Sequence, residues 1–497
     1  MLNNFHCHIA VPNTEVYAMA DSIVIFMCRE CPEFLYKLQL PAVVEKAVQA
    51  YLKIHTDFYK VAQINTLVLP LENKLLTVIL AGCGEGKQCT PNNMRRSAGT
   101  VARTLRSAKA EHAVLCGPIL LNSKRIAYVQ TLVEGLYLGA YAFTKLKSKV
   151  EPVLQCKIDL VTIIPEAEKR IIAAEIIAGA ICYTRDLVNY PGNIVTPQYM
   201  AEEALKLSNK LPVEVEVLDT DSLKAKGMNA ILAVGQGSSN SPKLITIKYN
   251  GNADESYIAF VGKGITFDSG GISLKPSQDM GEMKDDMSGA GAVLGAMVAI
   301  ARLGLKCNVI GILSCAENMP GGRAQRPGDI VRAANGKTIE VVNTDAEGRM
   351  VLADAVWYAC RMGAAKVIDI ATLTGAVVSA LGKKTSGIVS NDDQLVALIK
   401  EAGKLSGENY WQLPSLPECR EALKSDIADL LNSTTGGAGC ITGGLFISEF
   451  IDEGIPWAHL DIGGTATATK TAGAIIKGGT AFGTMTLIKL AGLMACK

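Results

Sequence analysis

Short, almost uninterrupted apolar segments alternate with stretches of helical periodicity, and this alternation constrains the fold more than any other feature of the chain. Ser22–Phe26, Leu75–Leu80 and Ala113–Cys116 are examples from the first third of the sequence. Strands that are apolar on both faces belong in a sheet covered by helices on both sides. The alternation therefore predicts an α/β fold in which most of the sheet is buried.

Two breaks divide this pattern along the chain. The first is at Pro165, and the second is the cluster Tyr190–Asn193, which contains Pro and Gly. The segment Glu166–Val188 between them has one long helical pattern. We predict a smaller N-terminal α/β domain, a connecting helix and a larger C-terminal α/β domain with a central mixed sheet, at residues 1–164, 165–190 and 191–497.

The second of these domains contains the clearest individual elements. We predict its strands at Lys243–Tyr249, Tyr257–Val261, Asn308–Ser314 and Lys366–Ala371, and its helices at Ser288–Leu303 and Met350–Met362. Gly-rich loops follow several of these strands, and such loops carry the functional sites of α/β folds. We therefore expect the functional site in this domain.

Composition narrows the class of protein. The 497 residues include 49 Lys and Arg against 48 Asp and Glu, so the near-neutral charge argues against nucleic acid as the main partner. Hydrophobic residues make up 49% of the chain, which excludes a disordered protein. The charge-free run Ile370–Gly382 is shorter than the roughly 20 residues that a membrane-spanning helix needs. Because no N-terminal targeting pattern is seen, we expect a cytoplasmic protein without a membrane partner.

The 14 cysteines are scattered and many lie in apolar contexts. We expect them to be buried free thiols, as is usual for a cytosolic protein. Cys28 and Cys31 form a single CxxC pair without a second pair, so we do not interpret them as a redox or metal site.

Charged residues are concentrated in three glycine-framed segments, two of which follow predicted strands: Val261–Pro276, Met283–Met287 and Asn343–Met350. In an extended chain, residues i and i+2 point the same way. Asp345 and Glu347 can therefore converge if their loop is extended.

Convergent carboxylates in a partly buried pocket require cations or protonation. Asp268, either Asp285 or Asp286, Asp345 and Glu347 would carry four negative charges, which two divalent ions balance. Oxygen ligands suit Mg and Mn and are open to Zn. The chain has only 5 His and no His-Glu-x-x-His motif, so a His-built site is not expected. Solvated loop carboxylates paired with Lys remain the alternative.

At these residues the chain resembles the leucine aminopeptidase (cytosol aminopeptidase) family of dinuclear metallopeptidases. Asn343–Arg349 matches the family signature, with Met350 in place of the usual Leu. The other matching segments follow in family order: Val261–Pro276, Met283–Ala290, Glu317–Arg323, Arg326–Asp329, Ala371–Gly375 and Ala458–Gly463. The N-terminal domain resembles the family's variable, macro-like N-terminal domain only in size and texture.

The resemblance implies a role for each matching residue. The metal ligands would be Lys263, Asp268, Asp286, Asp345 and Glu347, which hold two divalent ions per subunit, most often Zn, with Mn, Mg or Co as alternatives. The catalytic residues would be Lys275, which stabilises the oxyanion, and Arg349, which holds a bicarbonate ion. The backbone around that ion would be Ala346, Gly348 and Leu373. The substrate pocket would be lined by Met283, Thr372, Gly375 and Gly463.

The implied activity is the release of N-terminal amino acids, with Leu preferred and broad tolerance, by a water that two metals activate. The substrates would be peptides with a free N-terminus, and the assembly a homohexamer. Gly463 replaces an Ala of many members, which implies a roomier pocket, and Cys440 also departs from the pattern. A binding protein on the same scaffold, or a different two-metal hydrolase such as a phosphatase, remains an alternative.

Overall fold

The computed structural model of the chain describes residues 5–71, 74–149, 155–253 and 255–495. It contains two compact units, formed by residues 1–182 with 468–477 and by residues 183–467 with 478–497. The predicted α/β architecture with a smaller N-terminal part and a larger C-terminal part is confirmed. The long helix covers Ala167–Asn189, and the division between the units falls within it.

The first unit is built on a six-stranded sheet with the strand order β1-β6-β5-β2-β4-β3. Its pairs are parallel except that of β3 with β4. The strands are β1 (Phe5–Ala10), β2 (Ser22–Cys28), β3 (Ile64–Leu71), β4 (Lys74–Gly84), β5 (His112–Cys116) and β6 (Cys156–Val161), and the helices are α1 (Thr14–Ala18), α2 (Ala42–Ile54), α3 (Pro91–Ser107), α4 (Ile126–Ala140) and α5 (Ala167–Asn189).

The second unit is built on an eight-stranded mixed sheet with the order β15-β14-β17-β13-β9-β10-β8-β7. Its strands are β7 (Val213–Leu218), β8 (Lys243–Asn250), β9 (Tyr257–Asp268), β10 (Asn308–Asn318), β13 (Ala364–Ala371), β14 (Thr385–Ser390), β15 (Asn409–Gln412) and β17 (Trp457–Asp461). The central pairs, β10 with β9, β9 with β13 and β13 with β17, are parallel. Shorter strands lie outside this sheet: β11 (Ile330–Arg332), β12 (Thr338–Glu340), β16 (Leu430–Leu431), β18 (Thr467–Ala468) and β19 (Gly478–Gly479).

Helices cover both faces of this sheet, as expected from the continuous apolar strands. They are α6 (Pro197–Ser208), α7 (Thr220–Ala225), α8 (Asn229–Gly235), α9 (Ser288–Leu303), α10 (Glu347–Arg361), α11 (Ala376–Leu381), α12 (Asp393–Ser406), α13 (Pro417–Glu421), α14 (Gly439–Ser448) and α15 (Thr484–Ala495). Among the described residues, one helical stretch, Met280–Leu303, is long and apolar enough to cross a membrane, and 89% of its most apolar window is buried inside the protein.

The prediction that all cysteines are free thiols is wrong at two positions, because Cys28 and Cys89 form a disulfide. Strand β2 ends at Cys28, which lies beside Gly84 at the end of the parallel neighbour β4. The short turn that follows β4 then returns the chain to Cys89. The sheet register, which sequence spacing alone does not show, brings the two sulfurs together. Cys31 of the CxxC pair stays free and buried.

Helix α9 packs unusually close to the sheet because its first turn consists of small residues. A Cβ placed on Gly289 would lie 2.1 Å from the carbonyl oxygen of Ile370 on β13, whereas one on Gly291 would first meet the Met287 side chain at 3.4 Å. Only glycine therefore permits the observed packing at position 289, while position 291 has ordinary space.

We expect the two matched substitutions in this helix to act in opposite directions. Gly289→Ala should lower the free energy of unfolding by about 1–3 kcal/mol, because the helix must move off the sheet. Gly291→Ala should raise it by roughly 0.5–1 kcal/mol through the lower backbone entropy of the unfolded chain. Chemical denaturation of both variants measures this difference. Equal stabilities of the two variants would contradict the close packing at Gly289.

Candidate metal centre

The candidate site lies at the carboxyl ends of three neighbouring parallel strands. Asp268 is the last residue of β9, Asn318 is the last residue of β10, and Thr372 directly follows β13. Asp268 and Asn318 are register partners across the β9–β10 pair. Strand β9 is longer than predicted from sequence, so Lys263 lies within the strand and not after it. A lysine can be part of a strand that is buried on both faces when carboxylates pair its charge.

Lys263 is surrounded by acceptors in the interior of the site. Its side chain is 3% exposed, and its Nζ lies 2.8 Å from Asp286 and 2.9 Å from Glu347 Oε1. Nζ also donates a hydrogen bond of 2.8 Å to the carbonyl oxygen of Thr372. A Cβ on Gly348 would lie 2.7 Å from this Nζ, so only glycine at position 348 leaves room for the lysine.

Lys275 occupies the more open side of the same cluster. Its Nζ lies 2.8 Å from Asp268 Oδ2 and 2.5 Å from Asp345 Oδ1. The Lys275 side chain is 21% exposed, so a molecule that enters from solvent can reach it. The structure thus brings together the two lysines and the four carboxylates that the sequence singled out.

Burial and neighbouring charges act in opposite directions on these groups. Burial by itself lowers the pKa of Lys263 and of Lys275, but the adjacent carboxylates outweigh it and raise both pKa values above the ordinary range. Burial, followed by the charge of Asp268, raises the pKa of Glu347. Burial is also the main cause that raises the pKa of Asp286. Two ammonium groups face four carboxyl groups, so the cluster has fewer positive than negative groups.

The described residues contain one group of acidic side chains whose geometry suits a metal ion. Asp268, Asp286 and Glu347 each offer one oxygen, and these oxygens lie within 4.8 Å of one another. Glu347 Oε2 is buried and has no hydrogen-bond partner among the described residues. A buried, oxygen-rich set with an unpartnered oxygen and a deficit of positive charge fits divalent cations.

The structure distinguishes the two adjacent acids that the residue pattern left open. Asp286 belongs to the oxygen group, whereas Asp285 does not. Asp285 is half-buried, and burial, reinforced by the charge of Glu282, raises its pKa to about 6.

The expectation of an extended loop through Asp345 and Glu347 is wrong, because α10 begins at Glu347. Asp345 lies in the turn before the helix, and its backbone N–H donates a hydrogen bond to Asn343 Oδ1 at 2.9 Å. The acidic groups converge because one precedes a helix and the other begins it. Unpaired N–H groups at a helix start favour negative charge at this place.

Arg349 lies in the first turn of α10 and is 7% exposed. Its Nε has no hydrogen-bond partner among the described residues. A Cβ on Gly443 would lie 3.2 Å from its Nη2, so the glycine leaves space beside the guanidinium. A buried guanidinium with a free donor at a helix start suits a small anion.

Two of the backbone groups that the resemblance assigns to this anion are engaged within the protein. The N–H of Leu373 donates to Asp461 Oδ1 at 3.2 Å, and the N–H of Ala346 donates to the carbonyl of Asn343 at 3.2 Å. Gly348 is buried in the first turn of α10. The N–H groups of Leu373 and Ala346 are therefore already used by acceptors within the protein.

Of the four candidate pocket residues, Met283 lies in the 3₁₀ helix Met280–Asp285, whereas Thr372, Gly375 and Gly463 lie in loops. Met283 and Thr372 are half-buried, and Thr372 Oγ1 donates to Asp286 Oδ1 at 2.7 Å. Gly375 and Gly463 are exposed. A Cβ would meet nothing at Gly375, but at Gly463 it would lie 2.7 Å from the carbonyl oxygen of Thr374.

Two polar residues of the site, Asn318 and Asp461, were not among the residues predicted from the sequence. Asn318 donates to Asp268, and Asp461 accepts from the Thr374 hydroxyl at 2.7 Å. Each is the final residue of a buried apolar strand, β10 and β17 respectively. A polar residue at the end of such a strand was the signal that could have identified them.

Two family models match this chain, and each covers mainly one of the two structural units. The family model described as "Cytosol aminopeptidase family, catalytic domain" matches residues 182–488. The model described as "Cytosol aminopeptidase family, N-terminal domain" matches residues 40–150. The N-terminal match was not visible in the motifs, because that part of the chain carries no family signature.

Individual relatives match most of the chain. A probable cytosol aminopeptidase of Alkaliphilus oremlandii is 42% identical over 487 residues, which cover 95% of this chain and 96% of the relative. One of Alkaliphilus metalliredigens is 46% identical over 422 residues, which cover 83% of this chain and 84% of the relative.

Two solved structures share the fold at 31% identity each. A tomato leucine aminopeptidase mutant has a TM-score of 0.87 and covers 98% of this chain and 96% of its own. The bottromycin maturation enzyme BotP in complex with Mn has a TM-score of 0.85 and covers 96% of this chain and 100% of its own. The matching domains, the near full-length relatives and the shared fold lead to one conclusion: this chain belongs to the cytosol aminopeptidase family.

Proposed function

We propose that this aminopeptidase uses two divalent metal ions to release N-terminal amino acids from peptides, with Leu preferred and other residues tolerated. The observation that carries the proposal is the buried oxygen group of Asp268, Asp286 and Glu347, which is short of positive charge. Use of a divalent metal by a structural relative supports it, because BotP was solved with Mn. Zn, Mn, Mg and Co are the candidate ions.

The residues that would hold the ions are those of the charged cluster: Lys263, Asp268, Asp286, Asp345 and Glu347. Lys263 would have to give up a proton, because an amine binds a metal only through its lone pair. Bound divalent ions would supply Lewis acidity, which lowers the pKa of water and polarises a carbonyl group. A bound ion would also accept the lone pair of a substrate's free α-amine, which favours peptides with a free N-terminus.

Lys275 has the properties needed to stabilise an oxyanion. A lysine with an ordinary pKa of about 10.4 is protonated at neutral pH. The partial exposure of Lys275 leaves it within reach of a substrate carbonyl. As the carbonyl carbon becomes tetrahedral, the ammonium group can donate a hydrogen bond to the oxygen that gains negative charge.

Arg349 would hold a small anion, for which bicarbonate is the candidate. The buried guanidinium and the first turn of α10 both favour negative charge at that position. Ala346, Gly348 and Leu373 would form the backbone around the anion.

The pocket for the substrate side chain would be lined by Met283, Thr372, Gly375 and Gly463. Methionine is flexible and apolar, so it adapts to different aliphatic side chains. The two exposed glycines add no side-chain bulk. This composition supports a preference for Leu together with broad tolerance.

We also propose that the chain acts in the cytoplasm as a homohexamer. The mean hydropathy of +0.22 is high for a chain without a long exposed apolar helix in its described part. Large apolar side chains such as Trp411 and Ile427 are exposed in the single chain. Burial of such groups between subunits supports an oligomer.

Chelation tests the metal dependence and the substrate class together. We expect Leu-p-nitroanilide to be hydrolysed, N-acetyl-Leu-p-nitroanilide to be resistant, and activity to disappear after chelation and return with Zn, Mn, Mg or Co. p-Nitrophenyl phosphate is the control for a two-metal phosphatase and should not be cleaved. Full activity after verified removal of all metal would overturn the proposal.

Lys275→Met separates transition-state stabilisation from metal binding. We expect turnover to fall about 10²–10³-fold, because one charged donor to the oxyanion is lost. Metal content, measured by elemental analysis of the purified protein, should change little. Lys306→Met is the control, since Lys306 is exposed and follows α9 far from the cluster. Turnover within twofold of wild type in Lys275→Met would show that Lys275 has no such role.

A further inference from the structure

Asn318 is almost completely buried at the end of β10, and its side chain connects two of the loops that carry the charged cluster. It is 1% exposed. A register shift between Ala316 and Glu317 in the β9–β10 pair precedes it and sets Asn318 opposite Asp268. Its position is therefore determined by the sheet and not by a flexible loop.

Both amide hydrogens of Asn318 are used in the site. Nδ2 donates to Asp268 Oδ1 at 2.8 Å and to the carbonyl oxygen of Thr344 at 2.9 Å. Thr344 directly precedes Asp345, so one amide group holds a carboxylate at the end of β9 and the backbone beside a second carboxylate. The backbone carbonyl oxygen of Asn318 in turn accepts from the Ser269 N–H at 3.0 Å and from the Ser269 hydroxyl at 2.7 Å.

These contacts define which oxygen of Asp268 is engaged. Oδ1 accepts from Asn318 and also from the N–H of Gly270 at 2.9 Å. Oδ2 faces Lys275 Nζ at 2.8 Å. Rotation of the carboxylate would break both hydrogen bonds to Oδ1, so Asn318 and Gly270 keep Oδ2 directed toward the cluster.

We propose that Asn318 is a positioning residue that sets the affinity of the site for divalent ions by orienting Asp268 and the backbone before Asp345. This inference rests on the proposed metal site. Hydrogen bonds to a liganding carboxylate restrict its orientation before an ion binds, and their loss typically costs 10–100-fold in metal affinity.

The chain offers a matched control on the same strand. Asn308 is the first residue of β10 and is 4% exposed. Its Nδ2 donates to two carbonyl oxygens, those of Asn252 and Glu255, at 2.6 Å each. It therefore resembles Asn318 in burial and in hydrogen bonding, but it lies at the opposite end of the 11-residue strand from the charged cluster.

The experiment measures the Mn²⁺ and Zn²⁺ dissociation constants of the full-length protein by competition with a chromophoric chelator. Asn318→Leu keeps the approximate shape without the donors, and Asn318→Ala is a smaller second variant in case the first does not fold. We expect both to raise the dissociation constants about 10–100-fold. Asn308→Leu should lower the melting temperature of the metal-free protein about as much as Asn318→Leu does. It should leave the dissociation constants within twofold of wild type.

Each outcome decides one question. Folded Asn318 variants with wild-type dissociation constants would overturn the positioning role. An equal loss of affinity in Asn308→Leu would overturn it as well, because general destabilisation would then explain the effect. If wild-type protein binds neither ion, the proposed metal site itself is wrong, and the inference falls with it.

Discussion

The charge imbalance between four carboxyl groups and two lysines is the interaction on which the candidate site depends. Lys263 and Lys275 lie between Asp268, Asp286, Asp345 and Glu347 at distances of 2.5–2.9 Å. Burying so many acids is costly unless cations compensate them. The two lysines balance half of the negative charge. We propose that the negative charge that remains gives the cluster its affinity for divalent ions.

The fold brings these groups together through the ends of its parallel strands. Strands β9, β10 and β13 end at one edge of the sheet, and α9 and α10 begin there. Each strand contributes a polar group just where its buried apolar run stops, and each helix start adds N–H groups that favour negative charge. Close packing at Gly289 and Gly348 keeps this arrangement compact, since a Cβ at either position would collide with Ile370 or Lys263.

Much of this arrangement could be predicted from the sequence, and the exceptions have physical reasons. The helix Ser288–Leu303 was predicted at its observed bounds, and Gly304 caps it in the left-handed conformation. The helix start at Glu347, the Cys28–Cys89 disulfide and the membership of residues 468–477 in the first unit could not be predicted. They depend on tertiary register and packing. The role of Asn318 depends on the β9–β10 register in the same way.

Anomalous diffraction from crystals grown with Mn²⁺ or Zn²⁺ would show whether the charged cluster holds two ions. We expect two anomalous peaks per chain, bounded by Lys263, Asp268, Asp286, Asp345 and Glu347. We also expect that Lys275 Nζ no longer bridges Asp268 and Asp345, because the ions replace it as their partner. Ions bound elsewhere would contradict this proposal. Unchanged contacts between the two lysines and the four carboxylates at saturating metal would contradict it as well.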